Sequence, residues 1–197
     1  MIKKYILTDE SIKISNKEGT DTTTLYRIRA LIDIPKHDVK TGDLGGFIES
    51  EACLSQNDLN CWVGGTAKVF EHARVVDNAL VSGNAFVYDY ATIQDNAIVT
   101  DDAMVRGNAI VAFNSKVYEN AEVDGYVVIG NFAEVYENAV VSDQSVICGH
   151  SKIYGNAIIK DKAYISEHVE VYDNVTVCGN IQLAGDCKYY GNIKLHK

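Results

Sequence analysis

The sequence predicts an all-β solenoid, and three observations support this fold class. A small residue, usually Ala, recurs every six positions, and an aliphatic residue follows two places later. The repeat continues from Cys61 to Leu195 without an insertion. In the 22 hexads between Ala67 and Ile193, the small position is Ala 13 times, and the position two later is Val or Ile 19 times. A fixed short period is typical of solenoids, in which each unit buries its apolar face against its neighbours.

Residues 1–43 lack this repeat, and we expect them to form a small N-terminal β cap on a repeat domain of residues 44–197. Apolar and β-branched runs at 5–7, 12–14 and 25–32 predict short strands, separated by polar stretches such as 16–21. A cap would cover the strand edge that the first coil otherwise leaves free to pair with other chains. Pro35 and the glycine-rich run 41–46 mark the junction. Three extra residues then precede Cys61 before the repeat becomes regular.

Each hexad predicts two inward positions and one corner, as residues 77–82 illustrate. Side chains alternate along a strand, so Ala79 and Val81 point to the same side and fill the tube. Asp77 and Asn78 form the corner. Asn occupies the second corner position in 11 of the 22 hexads, and Gly or an acid often precedes it. These residues tolerate the left-handed backbone that a sharp corner requires.

On this pattern, of which Val81-Ser-Gly-Asn-Ala85 is representative, the chain resembles the hexapeptide-repeat proteins. The resemblance covers about 150 residues. It implies a left-handed parallel β-helix of triangular section, a solenoid of about eight coils of 18 residues. The N-terminal segments 25–31, 42–50, 54–56 and 60–63 are similar to an uncharacterised group found in bacterial genomes and prophages. Some members of that group are labelled transferases on fold alone.

With three hexads per coil, residues 18 apart should stack about 4.8 Å apart. The resulting outward tyrosine column, which we interpret as a candidate binding surface, is Tyr118, Tyr136, Tyr154, Tyr172 and Tyr190. A charge-alternating column beside it is Lys116, Glu134, Lys152, Glu170 and Lys188. A corner column of asparagines is Asn120, Asn138, Asn156, Asn174 and Asn192. Such columns can simply stabilise neighbouring strands, or they can hold a partner protein or an extended ligand, because Tyr is enriched at interfaces.

A second face carries outward apolar residues and is a candidate oligomer interface. Its members are Ile110, Val128, Val146 and Tyr164, with a column of small residues beside them. A contiguous apolar patch usually marks an interface. Because hexapeptide-repeat relatives often assemble through helix faces, we expect a homo-oligomer, a trimer or a dimer. The third face is the second candidate for an oligomer interface, because Glu122 interrupts its apolar column.

The resemblance also raises an enzymatic alternative, because many relatives are acyltransferases that use coenzyme A and place a catalytic histidine between subunits. His150 and His168 are the candidates here, since they should stack at one corner with Asp186 in the next coil. The competing interpretation is that His, Asn and Asp simply suit left-handed corners. Two histidines and one acid lack a fourth ligand, so we predict no metal site. The unbroken repeat leaves no inserted loop to enclose a substrate, so we expect no cofactor, with coenzyme A only under the enzymatic alternative.

Composition excludes several further classes of function and of location. The net charge of −9 argues against direct binding to nucleic acid, which needs a basic stripe. No run reaches the roughly 20 apolar residues that span a bilayer, and the N-terminal residues turn polar too soon for a signal peptide, so we expect a cytoplasmic protein away from membranes. The five cysteines form no C-x-x-C pair, which disfavours disulfides and structural zinc. Cys148 and Cys178 are both expected to point outward as small surface residues.

Three functions follow from these patterns. The first is a non-catalytic binding or scaffold protein that self-associates and captures a host protein or a small ligand, with a phage or prophage origin suggested by resemblance alone. The second is an acyltransferase with an active site between subunits. The third is an acidic mimic of nucleic acid built on one corner column. Its acids are Asp101, Glu119, Glu137 and Asp173, and glycines interrupt it.

Overall fold

The computed structural model describes residues 3–15 and 22–196. Its strands form three sheets that run along a tube, one strand of each sheet per coil. Strands in neighbouring coils pair in parallel, and their partners are 18 residues apart, as in the pair Val81 and Val99. The predicted all-β solenoid of about eight coils of 18 residues is therefore confirmed. Within the described residues, the one helical element is a single 3-10 turn at Pro35–His37.

The cap face is the sheet that includes the N-terminal strands β1 (Tyr5–Ser15), β2 (Thr22–Ala30) and β3 (Leu44–Ile48). The tube contributes eight further strands to the cap face: Lys68–Val69, Phe86–Val87, Met104–Val105, Glu122–Val123, Val140–Val141, Ile158–Ile159, Thr176–Cys178 and Lys194–His196. β1 and β2 form an antiparallel hairpin, and β2 also pairs with β3. β3 then pairs in parallel with Lys68–Val69, so the hairpin extends the first coil.

The tyrosine face carries eight strands of two residues. They are Trp62–Val63, Leu80–Val81, Ile98–Val99, Lys116–Val117, Glu134–Val135, Lys152–Ile153, Glu170–Val171 and Lys188–Tyr189. The aliphatic face carries seven: Arg74–Val75, Thr92–Ile93, Ile110–Val111, Val128–Ile129, Val146–Ile147, Tyr164–Ile165 and Gln182–Leu183. A parallel bridge between Leu54 and Val75 adds one further residue pair at the start of this face.

The small and aliphatic positions of the hexads form one continuous core. Ala79, Val81 and their equivalents from Ala67 to Val177 are buried, whereas Cys187 and Ile193 in the last coil are exposed. Where Ser replaces Ala, its hydroxyl is satisfied locally: Ser115 Oγ donates to the carbonyl of Ala112 at 2.7 Å. Ser151 makes the same bond to Cys148 at 2.8 Å. The narrow tube therefore accepts a hydroxyl without leaving a buried polar group unpaired.

The cap differs from the sequence prediction in two respects. The strand expected at 25–32 is β2, which begins and ends earlier, at Thr22–Ala30. The two short strands expected at 5–7 and 12–14 are a single strand, β1, with a β-bulge between Leu7 and Ser11. The bulge lets both apolar ends face the tube although polar residues separate them. Ile12 and Ile14 pack on a second, smaller core formed by Leu25, Phe47 and Phe70. Residues 16–21, predicted to be a polar connection, lie outside the described residues.

The insertion before Cys61 receives the N-terminal strand. Its Gln56 side chain accepts a hydrogen bond from the backbone N–H of Lys4 at 2.9 Å and donates to the carbonyl of Tyr5 at 3.1 Å. The hydroxyl of Tyr5 donates to the carbonyl of Leu54 at 2.7 Å. The single irregularity of the repeat is thus the place where the cap is attached to the first coils.

Candidate functional site

The five tyrosines of the predicted column form one ladder of parallel rings. Successive ring centroids are separated by 4.9, 4.9, 4.7 and 5.5 Å, and the ring planes differ by 4° to 14°. The first four side chains are half-buried, whereas Tyr190 is 60% exposed. The ring spacing follows the strand spacing, and the rings are already stacked in the free chain. The register predicted from the sequence is therefore correct; the binding role stays a prediction.

Charged side chains line one side of the tyrosine ladder. Glu134 lies between two lysines, with N–O distances of 3.9 Å to Lys116 and 3.8 Å to Lys152. Glu170 forms a closer pair with Lys188 at 3.0 Å and accepts a hydrogen bond from the Tyr154 hydroxyl at 3.1 Å. The alternation predicted from the sequence places opposite charges on adjacent strands. A partner would therefore meet an aromatic strip bordered by both signs of charge.

The surroundings of Tyr118, Tyr136 and Tyr154 disfavour the phenolate form. Partial burial, reinforced by the nearby carboxylates of Glu137 and Glu134, raises the pKa of Tyr136 to about 12. Burial also raises the pKa of Tyr118 and of Tyr154, where the hydrogen bond to Glu170 adds to the effect. These hydroxyls stay protonated at physiological pH and remain available as donors and acceptors.

Asparagines border the other side of the ladder. Each of the first four amides in the column donates from Nδ2 to Oδ1 of the asparagine in the next coil, at distances of 2.7 to 3.4 Å. Asn84 continues the pattern by donating to Asp102 at 3.1 Å. Such amide ladders are typical of stacked coils. Because these amides bond to one another, the asparagine column stabilises the corner of the solenoid.

The corner acids also have a structural use that the sequence did not suggest. Asp101 and Glu119 each accept a hydrogen bond from the backbone N–H of the equivalent corner residue one coil on, at 3.1 and 2.8 Å. Glu137 and Asp173 do the same for Gly155 and Gly191. The corner residues themselves have positive φ angles, 57° at Glu119 for example. Acids at these corners therefore contribute to coil stacking, which weakens their interpretation as a mimic of nucleic acid.

The aliphatic face presents the predicted apolar residues to solvent. Ile110, Val128 and Tyr164 are 38%, 37% and 41% exposed, and Val146 between them is half-buried. The thiol of Cys148 lies 3.4 Å from the Tyr164 hydroxyl on this face. Each residue sits beside its equivalent in the next coil, so the patch is continuous. The structure thus places these four residues on one wall, and their role as an oligomer interface stays a prediction.

The two candidate catalytic histidines belong to an aromatic stack at an exposed corner. The rings of His150 and His168 are 5.1 Å apart, and His150 lies 4.7 Å from Phe132 on its other side. The predicted stacking is therefore correct, but the nearest ring contacts are aromatic packing contacts. Within the described residues, no group of three His, Cys, Asp or Glu side chains is arranged to hold a metal ion.

Cys178 corrects one prediction. It was expected to point outward, but it is only 2% exposed. The strand Lys194–His196 pairs along it, and the thiol lies 3.5 Å from the carbonyl of Leu195. Cys148 is half-buried and Cys187 is exposed.

A groove between the hairpin and the tube strands of the cap face was missed by sequence reasoning. It has a volume of about 950 Å³. On its floor, Tyr88 stacks on Phe70 with ring centroids 5.0 Å apart. Arg106 donates to the Tyr88 hydroxyl at 3.1 Å and pairs with Asp124 at 3.0 Å. In the sequence, the available signal was a column with an 18-residue spacing: Phe70, Tyr88, Arg106 and Asp124. No sequence pattern placed the hairpin residues Ile14 and Thr23 beside that column.

Together these features define a β-solenoid with one aromatic face, one aliphatic face and one face covered in part by a hairpin. No protein-family model matches the chain, and no curated protein matches it. In the part of the chain that the structure describes, no helix has the length and apolar character needed to cross a bilayer.

Proposed function

We propose that this protein is a non-catalytic binding or scaffold protein that captures a partner on its tyrosine face and self-associates through its aliphatic face. The observation that carries the proposal is the ladder of five stacked tyrosines. Each ring is held by its neighbours at 4.7 to 5.5 Å. Four steps of this spacing give a strip about 20 Å long. Tyrosine combines apolar area with a hydroxyl, which suits a binding surface.

Rigidity supports this function further. A binding surface that is ordered beforehand loses little side-chain entropy when a partner arrives. The stacked rings and the ion pairs beside them are fixed by contacts within the tube, including Tyr154 with Glu170 at 3.1 Å. A flat strip of this kind fits a protein surface or an extended chain. As part of this proposal, we assign the chain to the left-handed hexapeptide-repeat proteins and infer a prophage origin. A prophage origin favours a host protein as the partner.

The experiment is an affinity capture with two matched variants. In the test variant, Tyr136, Tyr154 and Tyr172 are replaced by Ser. In the control, three tyrosines outside the ladder, Tyr26, Tyr90 and Tyr126, which are 37%, 60% and 67% exposed, are replaced by Ser. We expect the ladder variant to lose the partners captured from host extract and the control to retain them. If both variants capture the same proteins as the natural chain, the ladder is not the binding surface.

Self-association is tested separately on the aliphatic face. Val128→Asp places a charge in the centre of the exposed patch, where burial in an interface would be unfavourable. We expect the assembly measured by light scattering to dissociate. Val140→Asp, at a half-buried position on the cap face, is the control and should leave the mass unchanged. A natural chain that is monomeric at micromolar concentration would contradict the proposal.

The acyltransferase remains the second candidate because two imidazoles lie side by side at an exposed corner. If a second subunit completed a site there, one imidazole would accept a proton from a substrate hydroxyl or amine. Coenzyme A would then raise the unfolding temperature, and both His150→Ala and His168→Ala would lose acyl transfer. Absence of any thermal shift with millimolar acyl-coenzyme A would count against this function without affecting the ladder experiment.

A further inference from the structure

The N-terminal segment contains a fully buried lysine in direct contact with a cysteine. Lys4 Nζ lies 3.0 Å from Cys61 Sγ, although 57 residues separate them. The ammonium also donates to the carbonyls of Asp58 at 2.7 Å and Cys61 at 2.9 Å. Both side chains are 0% exposed. A buried lysine is unusual unless it is paired, and here its neighbour is a thiol.

The surrounding contacts hold the two atoms in place. Gln56 bonds to the backbone of Lys4 and of Tyr5, and the Tyr5 hydroxyl bonds to Leu54. Reactive groups fixed in contact behave as if present at very high concentration. Among the described cysteines, Cys61 is the one whose sulfur contacts an amine. The pair is therefore set up for a bond between nitrogen and sulfur.

The thiol lies close to solvent despite its burial. Cys61 Sγ is 3.3 Å from the carbonyl of Asp58, which belongs to the turn at residues 57–60. Asn57, Leu59 and Asn60 in this turn are exposed. One layer of chain thus separates the sulfur from water, and local opening of a turn admits a small oxidant such as hydrogen peroxide.

We propose that Lys4 and Cys61 are a covalent modification site that forms a sulfenamide crosslink when a peroxide oxidises the thiol. In the first step, sulfur attacks one peroxide oxygen, the O–O bond breaks, and Cys61 becomes a sulfenic acid with release of one water. In the second step, the lone pair of Lys4 Nζ attacks sulfur, the S–O bond breaks, and the departing oxygen leaves as a second water with a proton from nitrogen. Sulfur loses two electrons, and one peroxide is reduced to two waters.

The electrostatics of the pair favour the second step and slow the first. Burial lowers the pKa of Lys4, which favours the neutral amine that the second step requires. Burial raises the pKa of the Cys61 thiol, and the charge of Lys4 opposes that rise. Oxidation of Cys61 is therefore slower than that of an exposed thiol such as Cys187. The product joins the cap covalently to the coil on which it packs.

The experiment uses the full chain with the other four cysteines replaced, Cys53→Ala, Cys148→Ser, Cys178→Ala and Cys187→Ser, so that no disulfide can form within the chain. After treatment with hydrogen peroxide, we expect the intact mass to fall by about 2 Da, because two hydrogens are lost on forming the bond. Peptide mapping should locate the link between Lys4 and Cys61, and dithiothreitol should restore the mass. The crosslinked protein should also unfold at a higher temperature.

Two controls make the result decisive. Lys4→Met in the same background should yield oxygen adducts and no loss of mass. If that variant does not fold, the Lys4 protein treated in urea serves instead, and it should form no link at Lys4. A gain of about 32 or 48 Da on Cys61, a gain of about 14 Da, or an unchanged mass in the folded chain would each overturn the sulfenamide.

Discussion

The carboxylate of Glu119 accepts a hydrogen bond from the backbone N–H of Glu137 at 2.8 Å, across 18 residues of sequence. Glu119 itself donates its own N–H to Asp101 at 3.1 Å. Both glutamates have a φ of 57°, so their N–H groups lie at corners, outside the regular strand ladder. Each carboxylate thus supplies an acceptor to the next coil, and the corners are linked along the tube as the strands are.

Removing this acceptor should destabilise the tube. Glu119→Ala leaves the N–H of Glu137 without its carboxylate, and we expect a loss of about 1 kcal/mol in unfolding free energy. The left-handed strain is unchanged, since Glu and Ala both carry a Cβ atom. Urea denaturation followed by circular dichroism measures the change. Glu122→Ala, an exposed strand position on the cap face, is the control; an equal loss there would show that the corner bond contributes nothing.

The tyrosine ladder should show energetic coupling between neighbours and none between more distant rings. Tyr136 and Tyr154 stack with centroids 4.9 Å apart, and stacked aromatic pairs are coupled by about 0.5–1.5 kcal/mol. A double-mutant cycle with Tyr136→Ala and Tyr154→Ala measures this value in urea. The cycle of Tyr118→Ala with Tyr154→Ala is the control, because Tyr136 lies between them and their effects should add. If both cycles gave the same coupling energy, ring stacking would not be the source of the coupling.

Alkaline pH should weaken the fold through the same ladder. The pKa of Tyr136 is raised to about 12 in the folded chain, against about 10 for an unfolded tyrosine. The folded state therefore holds the Tyr136 proton more tightly than the unfolded state does. The resulting contribution to the free energy of unfolding is complete below pH 10 and is lost as the pH rises from 10 to 12. In a pH titration, the tyrosinate absorbance near 295 nm should rise at higher pH in the folded chain than in the urea-unfolded chain. Coincident titration curves would contradict the prediction.

The contrast between the tube and the cap shows what a sequence pattern can determine. The hexads predicted that Ala79 and Val81 would be buried and that Tyr136 and Tyr154 would stack, because a fixed period forces equivalent residues into columns. The single strand β1 and the groove around Arg106 depend on N-terminal segments that fold back over the tube, and the burial of Cys178 depends on the three-residue strand Lys194–His196 that pairs with it. No local period encodes those contacts. The bond between Glu119 and Glu137 was also missed, since backbone acceptors are not visible in a pattern of side chains.

The cap joins the tube at Gly45, a position where the surrounding atoms leave no room for a side chain. A Cβ atom on Gly45 would lie 2.5 Å from the carbonyl oxygen of Val63, 2.6 Å from Ile28 Cγ1 and 2.7 Å from Trp62 Cζ2. The nearest of these is backbone and is fixed by the sheet. β3 can therefore approach the tube only with glycine at this position.

Gly45→Ala should consequently loosen the cap. We expect a loss of about 1–3 kcal/mol, the usual penalty for overpacking a tight interior. Trp62, the single tryptophan of the chain, is 3% exposed at this joint, so its fluorescence should shift to longer wavelength as the cap separates. Gly130→Ala is the matched control, because the nearest atom to its new Cβ is a Phe113 ring carbon at 3.6 Å; it should change stability by less than about 0.5 kcal/mol and leave the emission unchanged. If Gly45→Ala keeps both the natural emission maximum and the natural stability, the close approach of β3 is not what holds the cap in place.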